Sequence, residues 1–191
     1  MWVPIGASRR DAADAKTIFR FEVRLLSGPV TQSFMDRHPE APSRIIDIRG
    51  SQTLDNLHDA IFRAFDRYDE HMYEFQIGGK EPMDSKAARY GLVVDREDPQ
   101  EKSARAYSIA SLNLQTGVPF FYWFDFGDDW WHDVRLLAVD SPEKGRRYPR
   151  IVERKGESPP QYVDWDEEED ESDPAPETQP PKTKAKRQKG K

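Results

Sequence analysis

Hydrophobic and polar residues alternate in two segments near the start of the chain, and this alternation predicts two β-strands. Residues 17–26 (TIFRFEVRLL) place an apolar side chain at every second position, which is typical of a strand with one buried face. Gly28 and Pro29 end the pattern, and residues 44–49 (RIIDIR) repeat it over a shorter length. We therefore expect two strands joined by a polar connection.

The spacing of apolar residues then changes to three and four, which indicates an amphipathic helix. Leu54, Leu57 and Ile61 fall on one stripe, and Thr53 precedes them with a hydroxyl that can accept a first-turn N–H group. These features predict a helix from residue 54 to about residue 68.

Residues 71–77 (HMYEFQI) alternate again and predict a third strand, which ends at the two glycines that follow it. The long segment 80–118 is mostly polar, and it predicts only short helical turns around residues 85–90 and 108–112. We expect this segment to connect the third strand to the hairpin described next.

Residues 120–139 contain the strongest hairpin pattern in the chain, with a turn at Gly127-Asp128-Asp129. Two registers are open: a two-residue loop pairs Asp125 with His132, whereas a three-residue loop pairs Phe124 with His132. Several strands around one main helix predict an α+β fold, with an antiparallel or mixed sheet packed against that helix and additional short helices.

The charged residues divide the chain into a domain and a tail. Of 191 residues, 36% are hydrophobic and 34% are charged, and the net charge is −6. Segment 164–173 is almost entirely acidic, which opposes compact packing, and prolines separate it from a basic arm. The basic arm consists of Lys182, Lys184, Lys186, Arg187, Lys189 and Lys191. We predict a flexible N-terminus over 1–16, one domain over 17–163 and a disordered acidic-then-basic tail over 164–191.

Composition excludes several classes of protein. No apolar run approaches the roughly 18 residues of a membrane span, and the start of the chain lacks the pattern of a secretion signal. The chain has no cysteine, which excludes disulfide scaffolds, thiol catalysis and cysteine-ligated metal sites. We therefore expect a cytoplasmic protein without a membrane partner.

Two segments resemble a known family. They are residues 53–75 (TLDNLHDAIFRAFDRYDEHMYEF) and residues 120–136 (FFYWFDFGDDWWHDVRL). They resemble the plasmid pRiA4b ORF-3-like family, whose members show a T-L-x-x-L-H helix, an H-x-Y-x-F strand and a Y-x-Y-D-F-G-D-x-W-x-H hairpin. The resemblance extends over residues 17–160 and implies an α+β fold and occurrence in bacterial, plasmid or transposon contexts. Some members are labelled transposon resolvases, but the family implies no established reaction.

The chain departs from the family pattern in two places. A longer polar connection over residues 29–43 stands where the family usually has a W-R-R run. Residues 158–163 (SPPQYV) stand where it commonly has P-P-E-D and two glycines, so no role of those carboxylates transfers to this chain.

Histidines and aspartates in the two segments form a candidate metal or polar cluster. Its members are His58, His71, Asp125, Asp128 and His132. Imidazole and carboxylate groups bind zinc, iron or manganese, and the inward parity of the three histidines is compatible with one shared site. However, the spacing matches no fixed metal motif, and histidines at the edge of a core commonly pair with carboxylates or carbonyls. We expect no cofactor, with a divalent transition metal as the alternative.

The hairpin also contains a candidate aromatic surface. Its members are Tyr122, Trp123, Trp130 and Trp131. Alternation sends half of the hairpin aromatics to each face of the sheet, so an uncovered face would present rings to a partner. The other interpretation is that a helix or the 80–118 segment covers the second face.

Three functions follow as hypotheses. The first is a non-enzymatic binding or accessory module with a protein partner, linked to mobile genetic elements by the family resemblance. The second is a metal-dependent hydrolase or nuclease that uses the His/Asp cluster. The third is a DNA-associated factor that uses the basic arm, or arginines of the domain such as Arg20, Arg24, Arg150 and Arg154. Serine-nucleophile motifs and phosphate-binding loops are absent from the sequence, so we favour the non-enzymatic function.

Overall fold

The computed structural model describes residues 15–92 and 101–163, which form an α+β fold. The strands are β1 (Ile18–Ser27), β2 (Ser43–Arg49), β3 (Tyr73–Ile77), β4 (Ala88–Gly91), β5 (Glu101–Ser103), β6 (Pro119–Phe124), β7 (Trp130–Asp140) and β8 (Arg150–Lys155). The helices are α1 (Gln32–Arg37) and α2 (Leu54–Ala64), and two 3₁₀ helices cover Ala104–Ala106 and Ile109–Leu112. The predicted tail and residues 1–14 of the predicted flexible N-terminus lie outside the described residues.

The eight strands form one mixed sheet in the order β5-β4-β3-β6-β7-β1-β2-β8. Neighbouring strands are antiparallel except β4 and β5, which are parallel. Helix α2 packs its apolar stripe against one face of this sheet, where its buried residues meet the alternate side chains that the sequence pattern placed inward. The predicted packing of a sheet against one main helix is therefore confirmed. No helix among the described residues is long and apolar enough to cross a membrane.

Helix α2 starts where the sequence predicts and ends earlier. The Thr53 hydroxyl accepts the N–H of Asn56, and the Asn56 side chain accepts the N–H of Thr53 in return. The helix ends at Ala64 because the buried Arg44 side chain donates to the Ala64 carbonyl at 2.7 Å and Asp66 takes a left-handed φ of +57°. The predicted end near residue 68 is wrong, because the cap comes from a residue far away in the sequence.

The β6–β7 hairpin has a five-residue loop, Asp125–Asp129, and both predicted registers are wrong. Phe124 pairs with Trp130, and Tyr122 pairs with His132. The loop is closed by Asp125, whose carbonyl accepts the N–H groups of Asp128 and Asp129, and whose φ of +56° is left-handed. This register places Tyr122 and His132 side by side on the inner face.

The long connection after β3 is more regular than the sequence suggests. The predicted turn around 108–112 is confirmed as a 3₁₀ helix, but the predicted helical turn around 85–90 is wrong, since that segment leads into β4. The Asp84 carboxylate accepts the N–H groups of Lys80 and Lys86 and so holds a tight loop just before this strand. Helix α1 and strand β8 lie in segments where the sequence predicted no element.

The chain crosses the end of α2 after β8, in a segment that we call the strap (residues 156–163). The buried Gln161 accepts the N–H groups of Tyr68 and Asp69 through its side-chain oxygen and donates to the Asp69 carbonyl at 2.8 Å. Gln161 thereby fixes the loop between α2 and β3. This position lies in the segment where the chain departs from the family pattern.

Candidate functional site

The predicted His/Asp cluster separates into a buried part and an exposed part. His58 lies on the inner side of α2, where its Nδ1 is 2.7 Å from the Tyr122 hydroxyl and its ring stacks on Tyr73 at 3.7 Å between centroids. Burial lowers the pKa of His58 to about 4, although the exposed Glu70 carboxylate lies 3.8 Å from its Nε2. His58 is therefore a neutral core histidine at physiological pH.

His132 is buried on β7, next to Tyr122 and Phe65. Its ring nitrogens lie near the backbone of Tyr122 and Trp130, but neither makes a hydrogen bond of good geometry. Burial and the positive charge of Arg67 lower the pKa of His132 to about 3. His132 is therefore also neutral at physiological pH.

Arg67 is a buried residue of this region that the sequence reasoning missed. Its guanidinium lies 3.7 Å from the centroid of the Trp130 ring, and its Nη1 donates to the Pro159 carbonyl at 2.9 Å. Burial lowers the pKa of Arg67 to about 10, so the group keeps its charge at neutral pH. A charged residue just after a helix normally reads as exposed, and no signal in the sequence points to this placement.

The exposed part of the cluster forms a chain of polar contacts. The Tyr162 hydroxyl donates to Asp69 Oδ2 at 2.7 Å, and this bond raises the pKa of Tyr162 to about 12. Because a hydroxyl carries one proton, His71 Nε2 must donate to Tyr162, which it approaches at 2.9 Å. Asp125 Oδ2 lies 3.5 Å from the same nitrogen. His71 is thus held between Tyr162 and Asp125 at the surface.

The five residues of the predicted cluster do not meet at one point. The described residues contain no group of three or more histidine, aspartate or glutamate side chains that could hold a metal ion. The actual hairpin register moves Asp125 away from the position opposite His132, and His71 precedes the first residue of β3 rather than lying on its inner face. The three histidines therefore do not share one site, although their parity is compatible with one.

The predicted aromatic surface also separates by alternation. Tyr122 and Trp130 belong to the core, and Trp131 is buried on the opposite face, so the assignment of these three residues to a surface is wrong. Trp123 lies on the same face as Trp131 and is half-buried. The Trp123 ring stacks on Trp131 at 4.8 Å and on Phe126 at 4.0 Å, and Phe126 is 39% exposed. Trp123 Nε1 donates to Asp129 Oδ1 at 2.9 Å, which fixes the stack to the hairpin loop.

The loop after β3 covers part of this second face. Gln76 pairs with Phe121 on β6, and paired residues point to the same face of the sheet. Phe121 lies two residues before Trp123 on the same strand, so Gln76 and Trp123 share a face. The Gln76 side chain accepts the N–H of Met83 at 2.7 Å and approaches its sulfur at 3.4 Å. Part of the 80–118 segment thus covers the face, and the accessible rings lie near the hairpin loop.

Exposed rings and carboxylates lie on the hairpin loop, the α2–β3 loop and the strap, three segments that meet at one end of the sheet. We call this surface the acid–aromatic edge, and it comprises Tyr68, Phe126 and Tyr162 with the carboxylates of Asp69, Glu70, Asp125 and Asp128. Phe126 lies on the side of this end that faces Trp123, on which its ring stacks. Tyr68 is 71% exposed, and its ring lies 6.0 Å from that of Tyr162. Within the described part of the chain, Asp69, Glu70 and Asp125 each approach a histidine, and none of the four carboxylates pairs with a lysine or an arginine.

The arginines considered for DNA contact are paired with acidic residues instead. Arg20 and Arg150 both bind the buried Asp47, Arg24 binds Asp133, and Arg154 binds Asp66. These pairs neutralise the basic residues that a phosphate backbone would need. The basic arm at the end of the chain lies outside the described residues.

Comparison with known proteins matches a family model, an uncharacterized protein and a solved structure. The family model described as plasmid pRiA4b ORF-3-like protein matches residues 34–166. An uncharacterized protein, y4hQ of Sinorhizobium fredii, is 29% identical over 111 residues, or 58% of this chain and 53% of the relative. The chain thus spans about half the length of this curated relative.

A solved structure supports the fold. The crystal structure of a protein of unknown function from Methanosarcina mazei Go1 is similar to this chain with a TM-score of 0.59 and 21% sequence identity. The similarity covers 76% of this chain and 72% of the archaeal chain. At this level of identity the likeness extends to the arrangement of strands and helices.

Proposed function

Since this chain belongs to the plasmid pRiA4b ORF-3-like family, we propose that its domain is a non-enzymatic binding module and that the acid–aromatic edge recognises an arginine- or lysine-bearing segment of a protein partner. The observation that carries this proposal is the set of carboxylates beside exposed rings, which no lysine or arginine of the described residues neutralises. Carboxylates attract a guanidinium or ammonium group, and aromatic faces attract the same cations.

The edge is suited to binding because its polar groups are already held in place. Tyr162 is fixed by Asp69 and His71, and the loop beneath them is fixed by Gln161. A surface that is ordered before binding loses less conformational entropy when a partner docks. The exposed Phe126 is held by its stack on Trp123, so the ring is also positioned in advance.

The two alternative functions have less support. The histidines of the proposed hydrolase are split between a neutral core and a surface hydrogen-bond chain. For DNA binding, the edge has the wrong sign of charge, and Arg20, Arg24 and Arg154 of the sheet are paired with carboxylates.

The proposal can be tested with a short fluorescein-labelled peptide in which arginine alternates with glycine. We expect saturable binding to the full chain by fluorescence anisotropy, weakened by added salt. Phe126→Ala and Glu70→Gln should each weaken binding by about threefold to tenfold, because the first removes a ring face and the second a carboxylate. The matched exchanges Leu137→Ala and Glu81→Gln, at exposed positions away from the edge, should leave the affinity unchanged.

The acidic segment 164–173 is a competing site for the same peptide, so it needs its own variant. Neutralising this segment with asparagine and glutamine should reduce nonspecific attraction and preserve the effects of Phe126→Ala and Glu70→Gln. Binding that disappears with the neutralised segment and ignores both edge variants would contradict the proposal.

A further inference from the structure

We propose that Arg67, Trp130 and His132 form a buried site for a small oxyanion, a carboxylate or phosphate group. The three side chains are 6%, 0% and 2% exposed. They lie inside the core, whereas the acid–aromatic edge lies at the surface. The site is therefore separate from the proposed binding function.

One edge of the Arg67 guanidinium, formed by Nε and Nη2, makes no hydrogen bond within the described residues. Stacking on Trp130 holds the plane of the guanidinium, and the bond from Nη1 to Pro159 anchors one corner. The Nε and Nη2 atoms are buried and have no hydrogen-bond partner among residues 15–92 and 101–163. These two atoms form the edge of a guanidinium that binds a carboxylate or a phosphate with two parallel hydrogen bonds.

The neighbouring unpaired atoms are also mainly donors. Trp130 Nε1 carries a buried N–H that has no partner in the described part of the chain, and a neutral His132 ring adds one further N–H and one acceptor nitrogen. His132 lies two residues after Trp130 on the inner face of β7, so both side chains leave the strand on the same side. A group of buried donors calls for a ligand that only accepts hydrogen bonds, which an oxyanion does and water does less well.

The charge of the site favours the same ligand. Arg67 forms no ion pair with any carboxylate of the described residues, and Asp66 and Asp128 act on it only over a distance. Its positive charge also acts on His132 and Tyr122. A buried cation without a counterion is costly, and an oxyanion at the Nε–Nη2 edge would offset that cost.

A cavity beside the site offers a route from the surface. Pro159, which accepts the hydrogen bond of Arg67, lines an apolar cavity of about 370 Å³ between the end of β1 and α1. Gly28 lies on the same wall, and its α-carbon packs so closely on the Trp130 ring that an added Cβ would lie 2.2 Å from it. Movement of the strap at Pro159 would open the site to this cavity.

The indole N–H resonances of the full chain report on the site directly. We expect inorganic phosphate, acetate or both, titrated separately at constant ionic strength, to shift the Trp130 resonance in a saturable way, with Trp130→Phe providing the assignment. The melting temperature should rise by about 3–6 °C at about ten times the dissociation constant. A response to phosphate alone assigns a phosphate group, and a response to acetate alone assigns a carboxylate.

Variants of two arginines separate this site from general anion effects. Arg67→Lys keeps the charge but lacks the Nε–Nη2 edge, so we expect binding to weaken by at least about tenfold. Arg63→Lys, at an exposed position of the same helix end, should bind as the original chain does. The absence of any saturable shift with both anions, or equal shifts in Arg67→Lys, would overturn the proposal. If Arg67→Lys does not fold, the anion titration of the original chain still shows whether the Trp130 indole resonance shifts in a saturable way.

Discussion

Replacing Arg44 with methionine should lower the free energy of unfolding by about 3–5 kcal/mol. The buried Arg44 donates to the carbonyls of Ala64, Lys155 and Gly156 and to the Ser158 hydroxyl, so it joins α2, β8 and the strap. Methionine fills much of the same space but donates no hydrogen bond, so the partly buried acceptors on β8 and the strap lose their donor and the Ala64 carbonyl keeps only its bond from Arg154.

Chemical denaturation of the full chain measures this effect. Arg37→Met is the control, because Arg37 is exposed, and its change should stay within about 0.5 kcal/mol. The free energy of unfolding of Arg44→Lys should lie between those of the two methionine variants, since lysine keeps the charge but not the planar set of donors. A loss below about 1 kcal/mol in Arg44→Met would show that Arg44 does not hold these elements together.

Acid should destabilise the domain well before its carboxylates become protonated. His58 and His132 have pKa values of about 4 and about 3 in the folded chain, whereas a histidine in the unfolded chain has a pKa of about 6.5. Between these values the unfolded chain binds more protons than the folded one, so the free energy of unfolding falls as the pH falls. The slope should reach about 1.4 kcal/mol per pH unit for each of the two histidines.

Denaturation curves recorded between neutral pH and pH 4 test this effect. His58→Gln can retain a hydrogen bond to Tyr122 and removes one proton-binding group, so we expect it to halve the slope. His38→Gln, at an exposed position, is the matched control. A stability that stays flat from pH 6.5 to pH 4 would mean that neither histidine is held neutral by burial.

The elements that the sequence predicts well are those that local spacing determines. Strands β1, β2 and β3 follow from alternation, and the start of α2 follows from Thr53 and the apolar stripe behind it. These patterns involve neighbouring residues and one buried face, so they do not depend on the rest of the chain.

The errors arise where distant residues decide the outcome. Helix α2 ends at a carbonyl that Arg44 caps from 20 residues away in sequence, and the hairpin register depends on the left-handed backbone of Asp125. Among the site residues, Tyr162 reaches His71 across 91 positions, in a segment that departs from the family pattern. The burial of Arg67 cannot be predicted from its neighbours in sequence, because it depends on the Trp130 ring, which tertiary packing brings against it.

The three histidines differ in how well alternation and helical spacing predict their positions. Parity places His58 and His132 inward, and both are buried beside Tyr122 as expected from that parity. Alternation predicts the same face for His71, which precedes Tyr73 by two residues, but β3 begins only at Tyr73. A side chain outside the strand is not bound by the alternation within it.

The most direct test of the proposed binding function is to map where the arginine–glycine peptide contacts the full chain, using the backbone amide resonances. We expect the largest shifts in the α2–β3 loop, in the hairpin loop Asp125–Asp129 and at Gln161 and Tyr162, since these three segments form the acid–aromatic edge. Shifts confined to residues 164–173, or spread over β8 and α1 with the edge unchanged, would contradict the assignment of the edge as the recognition surface.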